Sequence, residues 1–319
     1  VVFDDCRSES WPAWEILKHT VDKKPVDIKD NVSIEMVENG PLRKSMRITK
    51  SYGESKIVQY IRLFEGSTAE RIDFYNEVEW RSMNALLKAQ FPFGVCNENA
   101  TYDIGLGCVE RGNNRENSYE VNSHEWTDLT DASGDYGITV LNDSKYGWDK
   151  PDCNTIRLSL LYSPKAGGSY KYQERQDLGY HEFTYSIVGH KGQLDKSKAV
   201  RMSTVLNSPL RAFATTKHKG DLGREFSFAS SDNENVIVRA LKKAEVGNEY
   251  VVRVYETEGE KEQTAGITFA SNIVKAVEAD GTEKELGSAS FSGNRLNVDI
   301  KPFSVKTYRL VLDDNVSSK

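Results

Sequence analysis

The stretch ERIDFYNEVEW, from Glu70 to Trp80, decides the fold class. Apolar and charged residues alternate along it, and a period of two is typical of a β-strand with one buried face. The predicted buried face carries Ile72, Phe74, Val78 and Trp80. The predicted solvent face carries Arg71, Asp73, Glu77 and Glu79. We therefore expect a half-buried strand here.

Further strands surround this one in the sequence. KIVQYIRLF (Lys56–Phe64) is apolar on both faces and predicts an interior strand of a sheet. Ile156–Leu161 and Glu182–Ile187 alternate again, and Gly-containing turn clusters separate such segments. Residues 10–19 predict at most a short helix, and no amphipathic helical pattern longer than about three turns stands out. The predicted class is all-β.

A change of composition at Lys217–Arg224 marks a candidate domain boundary. Short strands separated by turn signals follow it, a rhythm that is typical of a small β-sandwich. We expect a large antiparallel β-sandwich over residues 1–217 and a smaller β-sandwich over residues 218–319. The five strands predicted in the second domain are Val236–Leu241, Tyr250–Tyr255, Gly266–Phe269, Ile273–Glu278 and Val305–Leu312.

Composition excludes several classes of partner. The formal net charge is -6 with acidic and basic residues interleaved, whereas proteins that bind nucleic acid usually carry a basic stripe. No apolar run approaches the roughly 20 residues that span a bilayer, so we expect no membrane insertion. The four cysteines form no CxxC motif and are expected to be free thiols, with a Cys96–Cys108 bridge as the alternative. Free thiols favour a cytoplasmic over a periplasmic location, although the compartment stays unknown.

No catalytic or metal-binding motif identifies a reaction. The sequence has no GxSxG elbow, HExxH helix, P-loop or GxGxxG, and its five histidines include no pair at i, i+4 spacing. Carboxylates are too numerous for a catalytic pair to be chosen by spacing, because their separation across a substrate decides their role. We therefore assign no catalytic residue, no metal ligand and no cofactor to this chain.

One loop carries polar and aromatic side chains suited to sugar recognition. In YGITVLNDSKYGWD, a predicted strand is followed by Asn142, Asp143, Lys145, Tyr146 and Trp148. Amide, carboxylate and aromatic groups projecting from one turn can bind hydroxyl groups and stack on a sugar ring. The alternative is an Asn-Asp turn whose side chains cap their own backbone.

A second loop has similar chemistry. In ERQDLGYHE, the residues Asp177, His181 and Glu182 lie on the approach to a predicted strand. The alternative is a charged surface loop with one hydrogen-bonded histidine. Neither loop can be assigned a contact with sugar from the sequence.

Several collinear segments carry a family resemblance. They include VVFDDCRSESWPAWEI at the start, SKIVQYIRLFEGSTAERIDFYNEVEWRSMNALLKAQFP (55–92), HEWTDL, YGITVLNDSKYGWD and NVIVRALKKAEVGNEYVVRVYE (235–256). Together they resemble the C-terminal β-portion of α-mannosidases of glycoside hydrolase family 38, in its shorter bacterial and cytosolic-type branch. The resemblance covers nearly the whole chain. It implies a supersandwich of the galactose-mutarotase-like type followed by the terminal sandwich.

The resemblance implies a role without chemistry of its own. Family members are retaining, zinc-dependent exo-α-mannosidases that remove terminal α-mannosides from glycans, and their zinc and nucleophile lie in an N-terminal catalytic domain. No position here matches those motifs, so we expect an inactive β-part that supports the catalytic domain. The two loops above are the candidates for the active-site rim. The family often has Cys where Ser144 stands, so a thiol is not needed there.

Partners and alternatives follow from the same resemblance. The expected partners are the chain's own N-terminal catalytic domain, a mannose-containing glycan and, in an oligomer, further copies. The start at Val1, without an initiator Met, is expected for a piece of a longer protein. The competing hypotheses are a lectin-like β-sandwich that binds mannosides without cleaving them, and a purely structural oligomerisation element.

Overall fold

The computed structural model describes residues 1–8, 10–66 and 70–313, and most of the regular secondary structure in these residues is antiparallel β-strand. This confirms the predicted all-β class. The chain divides into two compact units, Val1–Leu194 with Lys198–Pro209, and Asp195–Ser197 with Leu210–Lys319. The domain boundary predicted between residues 217 and 218 stays a prediction.

The first unit contains fourteen strands in the described residues. They are β1 (Val2–Asp4), β2 (Asp30–Asn39), β3 (Arg43–Tyr52), β4 (Ser55–Phe64), β5 (Arg71–Trp80), β6 (Ala85–Pro92), β7 (Asn99–Asp103), β8 (Cys108–Gly112), β9 (Val121–Asn122), β10 (Trp126–Thr130), β11 (Tyr136–Asn142), β12 (Gly147–Asp149), β13 (Thr155–Ser163) and β14 (Gly179–Lys191). Its helical elements are α1 (Lys18–Val21), a 3₁₀ helix (Gly168–Arg175) and most of α2 (Lys196–Asn207).

These strands form two sheets that pack face to face. The nine-stranded sheet has the order β2-β3-β4-β5-β14-β11-β10-β7-β8, and the five-stranded sheet has the order β1-β6-β13-β12-β9. A single core cluster joins them, with Trp80 and Tyr185 from the larger sheet and Trp148 and Leu158 from the smaller. The predicted large antiparallel β-sandwich is therefore confirmed, and each inner face packs on the other as in sandwiches generally.

Strand β5 confirms the strand predicted at Glu70–Trp80. The burial of its second face differs from the prediction. The strand lies inside the nine-stranded sheet between β4 and β14, and Val78 and Trp80 are buried. Arg71 and Asp73 are buried as well, although alternation predicted them at the solvent face. The guanidinium Nε of Arg71 donates to Asp73 Oδ1 at 2.6 Å, and the two charges therefore satisfy each other.

Helix α2 explains this burial. It packs on the outer face of the nine-stranded sheet, where Ala199 and its apolar neighbours contact Trp126, Leu141 and Val188. Arg71 also donates from Nη1 to the carbonyl oxygen of Met202 on the helix, at 3.4 Å. No sequence pattern predicts this helix, so the prediction that Arg71 and Asp73 face solvent is wrong.

The second unit is a smaller sandwich with its own core. Its strands are β15 (Ala229–Ser231), β16 (Val236–Lys243), β17 (Tyr250–Glu256), β18 (Gln263–Phe269), β19 (Ile273–Ala279), β20 (Glu285–Ser288), β21 (Phe291–Ser292), β22 (Arg295–Ile300) and β23 (Val305–Leu312). They form sheets of order β15-β18-β22-β21 and β16-β17-β23-β19-β20 around a separate apolar cluster. All five strands predicted here are present.

The cysteines differ from the expectation of four free thiols. A disulfide joins Cys96 to Cys153, so the alternative with Cys108 as the partner of Cys96 is also wrong. Cys6 is a buried free thiol. Disulfides persist in oxidising compartments. The argument from free thiols for a cytoplasmic location therefore loses its basis, and the location stays a prediction.

Candidate functional site

The first candidate loop begins at a buried turn centred on Asn142. Its side-chain Oδ1 accepts hydrogen bonds from the backbone N–H groups of Ser144 (3.2 Å) and Lys145 (2.7 Å). Its Nδ2 donates to the carbonyl oxygen of His124 at 2.8 Å. These are the backbone-capping contacts of an Asx turn. At this residue the structure matches the capping alternative, and no polar atom of the side chain projects toward solvent.

The next residues tie the loop to strand β14. Asp143 accepts from the backbone N–H of Thr184 at 2.8 Å and from the hydroxyl of Ser144 at 2.8 Å. Lys145 places its ammonium over the ring of Phe183 at 4.9 Å from the centroid, a cation–π contact. Burial lowers the pKa of Lys145, and the carboxylates of Asp177 and Asp143 oppose that effect.

The two aromatic residues of the loop have different environments. Tyr146 is more than half exposed, and its ring meets that of His124 edge-on at 6.2 Å. Trp148 is fully buried in the core between the two sheets. Tyr146 can therefore present an aromatic face to a ligand, whereas the indole of Trp148 cannot.

The second candidate loop is held by backbone contacts. Asp177 has a positive φ of 58° and accepts from the backbone N–H of Tyr162 at 2.8 Å. His181 donates from Nε2 to the carbonyl oxygen of Asp177 at 2.7 Å. Glu182 is exposed and accepts from the hydroxyl of Tyr180 at 2.7 Å, which raises the pKa of that tyrosine. The charged residues of this loop therefore reach solvent next to one hydrogen-bonded histidine.

The structure brings the two loops together. The ammonium of Lys145 from the first loop lies over the ring of Phe183, two residues beyond His181. The carboxylate of Asp177 from the second loop opposes the lowering of the Lys145 pKa by burial. The register of β11 against β14 causes this proximity, because Asn142 pairs with Tyr185. The exposed side chains at this corner include Tyr146, Asp177, Tyr180 and Glu182.

A cavity that is not among the sequence-based predictions lies between the two sheets. Its volume is about 490 Å³, and β4, β5, β6 and β14 contribute to its walls. The amide Nε2 of Gln59 donates to Asn76 Oδ1 at 2.8 Å and to the Tyr185 hydroxyl at 2.7 Å. Phe91 meets Tyr185 edge-on. Mixed amide and aromatic walls are typical of sites for small polar ligands.

The sequence did contain a signal for this cavity. Gln59 falls between Ile57 and Ile61 on the inner face of β4, and Asn76 falls between Phe74 and Val78 on that of β5. A buried amide on an apolar face needs hydrogen-bond partners, and such positions mark polar networks. The cross-strand pairing of Gln59 with Asn76 supplies the partners here.

A second unpredicted feature is a buried network of charges on the five-stranded sheet. Lys88, Asp149 and Arg157 lie on the adjacent strands β6, β12 and β13, and their side chains are almost completely inaccessible. Lys88 Nζ lies 2.7 Å from Asp149 Oδ1, and Arg157 Nε donates to both carboxylate oxygens at 3.0 Å. Lys88 also pairs with Glu120, and Asn114 donates to Asp149 Oδ2 at 2.8 Å.

The pKa values in this network follow from its geometry. Burial opposes the ionised form of Asp149, but Lys88 and Arg157 outweigh it and lower the pKa of that carboxyl. Burial lowers the pKa of Lys88 to about 8, with Asp149 opposing the change. Perturbed groups often mark functional sites. Here Lys88, Asp149 and Arg157 are paired with one another and are at most 3% exposed, which favours a structural role for the network.

No set of three or more His, Cys, Asp or Glu side chains in the described part of the chain could hold a metal ion. The residues present therefore do not fit the zinc that the family resemblance implies. Similarly, none of the helices formed by the described residues is long and apolar enough to cross a bilayer.

Comparison with known families decides the assignment. Residues 1–167 match the family model described as glycosyl hydrolases family 38 C-terminal domain. Residues 235–308 match a second one, the family 38 C-terminal β-sandwich domain. The chain belongs to glycoside hydrolase family 38. This confirms the resemblance found in the sequence, and the two matches have the order expected for the C-terminal part of a family 38 protein.

Individual family 38 relatives extend the match to almost the whole chain. The α-mannosidase G of Dictyostelium discoideum is 32% identical over 98% of this chain, and the mouse α-mannosidase 2C1 is 30% identical over 98%. The matched regions are 29% and 30% of those relatives, so the chain spans less than a third of their length. An α-mannosidase structure from Enterococcus faecalis V583 shares the fold, with a TM-score of 0.70 at 17% identity over 88% of this chain and 35% of that one.

Proposed function

We propose that this chain is the non-catalytic C-terminal β-part of a longer, retaining, zinc-dependent exo-α-mannosidase. The full-length enzyme would remove terminal α-mannosides from glycans, and its zinc and nucleophile would lie in the preceding catalytic domain. The β-part would support that domain and contribute to the active-site rim. Its partners would be that domain and, through it, a mannose-containing glycan.

One observation carries this proposal. Two family 38 models of C-terminal domains match in order, while relatives named as α-mannosidases are more than three times as long as the matched region. The remaining part of such relatives can hold a catalytic domain.

The buried polar contacts favour a scaffold role. A catalytic site must be held to within about 0.5 Å, and rigid elements with satisfied polar groups provide such support. The network around Asp149 crosslinks three strands of the five-stranded sheet, and the Arg71–Asp73 pair anchors β5 under helix α2. Both features stiffen the first unit without offering a reacting group to a substrate.

The corner formed by the two loops is the part of the first unit that we assign to the rim. Tyr146 and Glu182 project from it, and Asp177 and Lys145 add charges of opposite sign. Asn142 and His181 would shape the loops through backbone contacts rather than touch sugar. Trp148 would support the first loop from the core.

The test of this proposal is turnover by the full-length reading frame. Supplied with zinc and an aryl α-mannoside, the full-length protein should release the aryl alcohol with retention at the anomeric carbon, and a chelator should abolish the release. Full-length protein that is folded but hydrolyses no α-mannoside under these conditions would refute the proposed activity.

The cavity lends specific support to the second hypothesis, a mannoside-binding module. Its amides and aromatic rings suit a small polyhydroxyl ligand, and its volume of about 490 Å³ can hold one or two sugar rings. Calorimetric titration of this chain with mannose and α-mannobiose distinguishes the hypotheses. Saturable binding that is lost in Asn76→Leu would favour the module, and no binding heat would favour the scaffold.

A further inference from the structure

Strands β2, β3 and β4 form one end of the nine-stranded sheet, and their two faces differ. On the outer face, charged side chains have partners: Glu35 forms an ion pair with Arg47, and the guanidinium of Arg62 lies over the ring of Tyr60. Such partnered charges are typical of a solvated sheet face. This side therefore needs no further partner.

The inner face of the same strands carries a group of apolar side chains that are exposed on β2 and half-buried on β3 and β4. Cross-strand register pairs Ile34 with Ile48, Met36 with Met46, and Met46 with Ile61. These five side chains follow one another across three strands. Ile34 is 61% exposed and Met36 is 56% exposed, and none of the five belongs to a core cluster of the described residues. We call this group, Ile34, Met36, Met46, Ile48 and Ile61, the apolar overhang.

The overhang continues directly from the buried core. Ile61 pairs with Phe74 on β5, and Phe74 pairs with Tyr185 on β14, so the same inner face becomes the wall of the sandwich. The nine-stranded sheet is thus built with one apolar face, of which the five-stranded sheet covers only a part. A contiguous apolar surface of this kind marks an interaction site.

Edge-to-edge pairing is a poor explanation for this surface. Strand β2 is the edge of its sheet, but its register is broken by irregularities between Asp30 and Ser33 and between Met36 and Glu38. Bulges and charged residues on an edge strand hinder pairing with another strand. The side chains of the apolar overhang project from the inner face of the sheet and not from its edge, so a partner would pack on that face.

The overhang lies near the first residue of the chain. Lys50 lies two residues from Ile48 on β3 and lines the cavity together with Val1. The family model that matches residues 1–167 is named a C-terminal domain, and the whole chain aligns with only 30% of the mouse relative. We infer that the apolar overhang is the docking surface for the part of the longer enzyme that precedes Val1. This inference rests on the proposed function.

Methionine oxidation in the native full-length protein tests the inference. Reactivity of a thioether toward peroxide follows its exposure, and the chain contains its own control in Met83, which is 49% exposed and lies outside the overhang. For each methionine, the oxidation rate in the folded protein is divided by its rate in the protein unfolded in urea. In this chain alone, these ratios should be similar for Met36 and Met83. In the full-length protein, Met36 should oxidise several-fold more slowly than Met83.

Other outcomes overturn the inference. Equal oxidation of Met36 and Met83 in the full-length protein would show that the overhang is uncovered. Protection of Met36 that disappears on dilution, or that already occurs in this chain alone, would identify a second copy as the occupant. Protection that is independent of concentration and confined to the full-length protein supports the preceding segment.

A pair of matched variants tests the same surface by perturbation. Ile34 and Ser33 are adjacent and exposed, but they point to opposite faces of β2. In the full-length protein, Ile34→Lys should restore the oxidation of Met36 to the rate of Met83, whereas Ser33→Lys should leave Met36 protected. If both variants retain the protection, or both lose it, the apolar face is not the docking surface.

The proposed activity and the docking surface can fail separately. Full-length protein without α-mannosidase turnover but with a protected Met36 would refute the function and keep the docking surface. Active full-length protein with an unprotected Met36 would refute the docking surface and keep the function.

Discussion

Replacing Asp149 by Asn should strongly destabilise the first unit. Asp149 is the anion between two buried cations, Lys88 at 2.7 Å and Arg157 at 3.0 Å, and all three side chains are at most 3% exposed. Asparagine keeps the shape and accepts fewer hydrogen bonds, but it removes the charge. Two buried cations would then face each other without that anion, and only Glu120, at the edge of the network, would remain.

The expected loss follows from the cost of an uncompensated buried charge. Breaking a buried ion pair by removing one partner costs about 3–5 kcal/mol. The matched control is Glu79→Gln, which removes an exposed carboxylate paired with Arg81 at 2.8 Å. Exposed pairs contribute about 0–1 kcal/mol. The two variants therefore differ in burial while making the same chemical change.

Urea unfolding followed by tryptophan fluorescence measures these free energies in the first unit alone. All five tryptophans of the chain lie in that unit: Trp11, Trp14, Trp80, Trp126 and Trp148. A loss below about 1 kcal/mol for Asp149→Asn, equal to that of the control, would refute the reasoning, because exposed pairs contribute only that much.

The pH dependence of stability provides a second check on Asp149. Its pKa is lowered in the folded state, so its contribution is present above the ordinary carboxyl pKa of about 4 and is lost as the pH falls through the folded value. The urea midpoint of the wild-type protein should therefore decrease as the pH is lowered below about 4. In Asp149→Asn, which has no carboxyl group at this position, the midpoint should decrease less over the same pH range.

Three further predictions concern other parts of the first unit. Replacing Cys96 and Cys153 together by Ser should lower the free energy of unfolding by about 4 kcal/mol, since the disulfide closes a loop of 57 residues; an unchanged urea midpoint would contradict this. The hydrogen bond to Asp128 raises the pKa of His190, so its contribution is complete below about pH 6.5 and is lost as the pH rises through the folded value. Asp128→Asn should abolish that slope in urea midpoints measured from pH 5 to 8, and a persisting slope would assign it to another group. Tyr146→Ala should change stability by less than about 0.5 kcal/mol but raise KM for an α-mannoside in the full-length enzyme; an unchanged KM would remove Tyr146 from the rim.

Periodicity was sufficient to predict most of the sandwich. Strand β5 has a clear alternation and β4 is apolar on both faces, and both lie where the pattern predicts. The second unit was predictable for the same reason, because regular turns separate its strands. Helix α2 could not be predicted in this way. Its apolar residues pack on the outer face of the nine-stranded sheet, and the local sequence does not show that this face is apolar there.

Polar residues inside the sandwich could not be placed from local pattern. A lysine in the strand ALLKAQFP looks like one solvent-facing position, and Asp149 looks like part of a turn. Their burial depends on a contact between residues 61 positions apart in the sequence. The Cys96–Cys153 disulfide also joins residues far apart in the sequence, at a separation of 57 positions. Local sequence pointed to the two candidate loops, but only the register of β11 and β14 brings those loops together.

The most direct test of the central claim is hydrolysis of an aryl α-mannoside with zinc by this chain beside its full-length counterpart, at equal concentrations of folded protein. The scaffold role predicts zinc-dependent release of the aryl alcohol by the full-length enzyme and none above the blank by residues 1–319. Zinc-dependent turnover by residues 1–319 alone would contradict the claim, since it would require a catalytic site within this chain.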